Sequence, residues 1–69
     1  MLHPDEEFML RNKLFELTQE HRDLDVAIEQ LRQNTACDQF MLARMKKRKL
    51  ALKDQISRIN SQLIPDLNA

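Results

Sequence analysis

Apolar residues recur along this chain in alternating steps of four and three. The first run is Leu10, Leu14, Leu17, Leu24, Ile28 and Leu31, with His21 standing in the step between Leu17 and Leu24. The second is Leu42, Met45, Leu52, Ile56, Ile59 and Leu63, with Lys49 in the corresponding gap. Such steps average ~3.5 residues, the period at which a helix keeps one seam turned towards a partner helix. Each run therefore predicts a long helix with a coiled-coil seam rather than a loose amphipathic stripe.

The residues around the runs supply the boundaries. Pro4 followed by Asp5, Glu6 and Glu7 marks a helix start, because proline suits the first turn and acids there face the positive end of the helix dipole. The break "NTACD", Asn34 to Asp38, offers Asn34 for the left-handed cap position usually given to glycine. Thr35 with Asp38 three residues on resembles a capping box, and Asp38 is the competing N-cap. Pro65 ends the second run. The expectation is one helical-hairpin domain over 1–69, with a helix at about 5–33, a turn at about 34–37 and a helix at about 38–64.

Folding the chain at that turn aligns seam with seam. Pairing residues whose numbers sum to 73 sets Leu31 against Leu42, Ile28 against Met45, Leu24 against Lys49 and His21 against Leu52. Leu17 then meets Ile56, Leu14 meets Ile59 and Leu10 meets Leu63. Each layer joins an a position to a d position, as antiparallel helices require. Two unrelated amphipathic helices have no reason to match in register about so short a turn. The fold class is all-α: a two-helix antiparallel coiled-coil hairpin with arms of about 40 Å at ~1.5 Å per residue, expected to assemble into a helical bundle.

Charge changes the picture of the second run. "RMKKRKLALKD", residues 44–54, looks in isolation like a nucleic-acid patch, yet eleven basic and eleven acidic residues cancel over the whole chain. Up to Cys37 there are four basic and eight acidic residues; from Asp38 onward there are seven and three. The two arms thus carry opposite charge and lie side by side. Asp25 and Lys46 fall on flanking e positions of neighbouring layers, where a cross-helix pair fixes register more than it stabilises, since exposed pairs give only ~0.2–1 kcal/mol. Lys49 occupies the seam, where its stem packs while the ammonium reaches towards Asp25. His21, Asp25, Lys46 and Lys49 form the register-setting polar seam. Arg44, Lys47 and Arg48 are the candidate polyanion contacts, the minority reading of the basic run.

Composition removes several classes of function. Glycine is absent, which excludes the glycine-rich phosphate loop, the dinucleotide fingerprint and the nucleophile elbow. With no Trp or Tyr and three Phe, a stacking platform for bases is not expected. Cys37 is the single cysteine, so no intrachain disulfide is possible and a reducing compartment is the natural home. It reads as a small loop residue, an interchain bridge being the lesser alternative. The acidic start "MLHPDEEF" does not read as a signal peptide, and no run of ~18 apolar residues is present to span a membrane. A cytoplasmic location is the expectation.

Two segments resemble a known family. "HRDLDVAIEQL", His21 to Leu31, is similar to the H-x-x-L-D-x-x-I pattern in the first helix of the YdcH-like small bacterial proteins. "RMKKRKLALKD" is similar to the K-K-x-K-L-x-L-K-D core of their second helix. The matching positions are His21, Leu24, Asp25, Ile28, Lys46, Lys47, Lys49, Leu50, Leu52, Lys53 and Asp54, within a resemblance running from about Leu14 to Ile59. It implies a short helical hairpin in a bacterial cytoplasm with no established biochemical activity. Phe8, Phe15 and Cys37 are not among the residues that carry it.

Candidate chemistry is sparse. His21, in the seam beside Leu52 and near Lys53, reads either as a pH sensor or, preferably, as a polar residue that sets register. No metal site is expected, since His3, His21 and Cys37 are far apart along the hairpin. Asp23 and Asp25, two apart, lie on different helix faces and cannot act as an acid/base pair. A hairpin is also expected to lack the concavity of ~300–1,000 Å³ usual for small molecules. No catalytic residue, cofactor or metal is assigned, and the chain is not expected to be an enzyme.

The informative excess is apolar. Phe8 and Phe15, seven apart, share a stripe outside the seam; Ile64 on the other arm and Leu67 beyond it are expected nearby. Phe40, Met41, Val26 and Leu50 add further apolar groups outside the seam. Burying one such side chain fully contributes ~1.5–3 kcal/mol, so Phe8, Phe15, Ile64 and Leu67 make a candidate self-association surface. The expected partner is a second copy, giving a dimer or tetramer. A helix from another protein on the same patch is the competitor, with nucleic acid behind both.

Overall fold

A computed structural model of the chain describes residues 2–34 and 36–64. Two helices make up the fold: α1, Pro4–Arg32, and α2, Gln39–Leu63, packed against one another with no strand among the described residues. They form the all-α antiparallel hairpin expected from the seam. Its dimensions, 50 × 25 × 15 Å, are those of a slab two helices wide and one helix thick.

Local chemistry sets each boundary. At the start of α1, His3 is the N-cap: its Nδ1 accepts a hydrogen bond from the Asp5 amide at 3.1 Å. The sequence placed Pro4 and the acids there and overlooked the imidazole. Asp38 caps α2, its carboxylate accepting from the Phe40 and Met41 amides at 2.9 and 3.2 Å. The competing capping box involves Thr35, which lies outside the described residues.

Asn34 plays a different part from the left-handed cap anticipated for it, as no described residue has a positive φ. Instead its side-chain oxygen accepts from the Ala36 amide at 2.9 Å and its carbonyl from the Cys37 amide at 3.1 Å. A short polar side chain bonding two residues onward turns the chain without the left-handed conformation. Cys37 is half-buried in this turn, its thiol donating weakly to the Asp38 carbonyl at 3.7 Å.

The core is the seam and little else. Leu17, Ile28, Leu42 and Leu52 are buried, with Leu52 at 0% exposure. The other ten seam positions are half-buried, His21 and Lys49 among them. Two cross-helix ion pairs agree with the register: Arg48 Nη2 with Glu20 Oε1 at 3.1 Å, and the Lys49 ammonium with the Asp25 carboxylate. Glu20 and Arg48 adjoin the facing seam residues His21 and Leu52, Leu24 and Lys49 from one flank. Asp25 and Lys49 join across the other.

Candidate functional site

Opposite flanks of the hairpin have opposite character, and this follows from the heptad. On one flank, Glu20 answers Arg48. On the other, Thr18, Asp25 and Arg32 follow each other at seven-residue spacing on α1, while Lys46 and Lys53 do so on α2. These two rows form the walls of an open groove of about 690 Å³. Its floor is seam: His21, Ile28, Lys49 and Ile56; Leu50 stands on the α2 wall. A hairpin was expected to offer no such concavity. It does, because short or flexible side chains at the flanking positions leave space between the long basic ones.

Four cations line this groove, Arg32, Lys46, Lys49 and Lys53, against the single carboxylate of Asp25. Asp25 is bonded by Lys49, as the seam position of Lys49 led one to expect, and not by Lys46, the partner that the flanking positions offered. The physical reason is reach: Lys49 leaves the seam on the Asp25 side, and its stem spans the distance while remaining packed. That hydrogen bond, opposed by desolvation and supported by the positive charge of Lys49, holds the Asp25 carboxyl below its ordinary value of 3.8. Among the described residues, Arg32, Lys46 and Lys53 have no ion-pair partner.

His21 lies where the seam meets the groove. Its Nε2 is buried without a hydrogen-bond partner among the described residues. Among the described residues no group of three His, Cys, Asp or Glu comes together that could hold a metal ion.

The residues of the basic run separate. Arg44 and Lys47 are exposed, and neither is ion-paired among the described residues. Arg48 is held by Glu20 on the opposite flank from the groove. Sequence reading missed this pair, and it missed Arg32 as a groove residue. Both signals were present: Glu20 with Arg48, and Arg32 with Lys46 and Lys53, occupy the positions that flank an antiparallel seam.

Phe8, Phe15 and Ile64 are exposed by 68, 65 and 63%. Residues three apart on a helix are neighbours, so Phe15 adjoins Thr18, and Phe8 adjoins Arg11, along the row that forms the groove wall. A second, smaller depression continues from Lys53 and Ile56 through Ser57 and Asn60 to Ile64. Phe8, Phe15 and Ile64 therefore border one face of the slab, apolar at the open end and basic towards the turn. Leu67 lies outside the described residues. Phe40, Leu50, Val26 and Met41 are also exposed, Phe40 by 81%.

No helix among the described residues is long and apolar enough to cross a membrane. Residues 14–60 match the family model described as "Protein of unknown function (DUF465)". The chain therefore belongs to this family, which includes the YdcH-like small bacterial proteins that the two helical segments resemble. No curated protein and no solved structure matches it.

Proposed function

We propose that this member of a family of unknown function is a non-enzymatic, cytoplasmic interaction module that self-associates through the open-end face of its hairpin. The observation that carries the reading is the exposure of Phe8, Phe15 and Ile64 beside only four buried hydrophobic residues among the described residues. Apolar surface of this kind is a drive to associate, and a second copy brings the same patch. A two-fold dimer through it makes a four-helix bundle, an arrangement in which each helix gains a second neighbour. An enzymatic role has no support, because the titratable groups of the groove are four cations and one committed carboxylate beside a histidine, without a nucleophile held by a base. Nucleic-acid binding through Arg44, Lys47 and Arg48 has less support, since Arg48 is engaged by Glu20.

The test is the solution mass of the Phe15→Glu variant. A charge within the patch is expected to lower the oligomer towards 8.2 kDa while the helical circular-dichroism signal is retained. An unchanged mass with unchanged helicity would place any association elsewhere on the surface.

A further inference from the structure

The groove near the turn is chemically distinct from the open-end apolar patch, and its spacing specifies a partner. Lys46, Leu50 and Lys53 stand at i, i+4 and i+7 on α2, all three on the groove wall. They form a basic–apolar–basic row about 10 Å long at ~1.5 Å per residue. We propose that this groove docks an acidic amphipathic helix of another protein. The partner carries Asp or Glu seven residues apart, with a leucine-like side chain three or four residues after the first. Run alongside α2, such a helix sets its carboxylates on Lys46 and Lys53 and its apolar residue on Leu50 and Ile56.

Charge and spacing separate this occupant from the others. Arg32 on the α1 wall adds a further cation, and Asp25 is engaged by Lys49, so the groove has a surplus of positive charge to be answered from outside. A second copy does not answer it. Among the described residues the one acidic pair seven apart is Glu16 and Asp23, and Gln19 and Glu20 stand between them where an apolar residue is needed. Nucleic acid supplies the charge but has no use for Leu50, Ile28 and Ile56, and among the described residues no Phe, Tyr or Trp lines the groove to stack on a base. An amphipathic acidic helix uses both features.

The experiment titrates the full chain with three synthetic helical peptides and with a 20-nucleotide single strand and duplex. One peptide carries Glu at i and i+7 with Leu at i+3 and i+4; the others replace its Glu by Gln or its Leu by Ser. Fluorescence anisotropy gives the affinity, and amide shift changes give the site. The Glu/Leu peptide is expected to bind with shifts centred on Lys46, Leu50 and Lys53. Either replacement, or the double variant Lys46→Glu/Lys53→Glu, is expected to weaken binding at least about tenfold. Lys46→Gln/Lys53→Gln serves as the milder pair, and retained helicity is required of both. Failure of the Glu/Leu peptide to bind, equal binding of the Gln peptide, or tighter binding of either oligonucleotide would overturn the proposal. Neither double variant touches Phe15, so oligomer mass reports on self-association independently.

Discussion

His21 is the residue at which the seam departs most from its own rule. The position faces Leu52, the most buried side chain, yet holds an imidazole whose Nε2 is buried without a partner among the described residues. A buried polar atom left unpaired costs ~1–3 kcal/mol. Replacing it with a hydrocarbon of similar size should return part of that cost. His21→Leu is expected to raise the urea midpoint by an amount corresponding to ~1–2 kcal/mol. A lowered midpoint would show that the imidazole makes a favourable contact.

Asp25 is the other residue whose chemistry the hairpin alters. The Lys49 hydrogen bond lowers its pKa from 3.8, so the folded state holds the carboxylate more firmly than the unfolded chain does. The resulting stability is fully present above the unfolded pKa and is lost as pH falls through the lower folded value. Urea midpoints of the wild type should therefore drop as pH falls below about 4 by more than those of Asp25→Asn. Parallel pH profiles for the two proteins would mean that the pair does not favour the folded state.

At the scale of the element, each helix depends on a cap as well as on its seam. Asp38 satisfies two amides at the start of α2, where no other acid occupies the first turn. Asp38→Ala is expected to cost about 1 kcal/mol, visible as a melting temperature lowered by ~4–8 °C. An unchanged melting temperature would mean that the first turn frays without consequence for the hairpin. Helix α1 is less exposed to such a change, having Pro4 and three first-turn acids besides the His3 cap.

Elements and register were legible because their cause is local and periodic. A 3.5-residue repeat on both sides of one polar turn leaves a single alignment in which seam meets seam, and the buried residues Leu17, Ile28, Leu42 and Leu52 all belong to it. The groove was not legible in the same way. It arises from flanking rows on two different helices, although the Lys49–Asp25 contact within it was anticipated from the seam position of Lys49. The Arg48–Glu20 pair was not legible for a related reason: Lys46, Lys47 and Lys49 lie close to Arg48 in sequence, whereas Glu20 is 28 residues away. Turn geometry at Asn34 escaped too, because asparagine serves equally as a left-handed cap and as a side-chain acceptor.

For the whole molecule the governing fact is thickness. A slab 15 Å deep gives each helix one neighbour, so burial stops at the seam and side chains such as Phe8, Phe15 and Ile64 stay in solvent. The same geometry makes the face between the two flanking rows accessible along its length, apolar towards the open end and basic towards the turn. The proposed association of two slabs would supply the second layer from which helical domains are ordinarily built.

Sedimentation equilibrium of the unmodified chain, over a wide concentration range and under reducing conditions, tests the central claim most directly. Self-association predicts a mass that rises with concentration to a defined multiple of 8.2 kDa. A well-folded 8.2 kDa species at every concentration would contradict it.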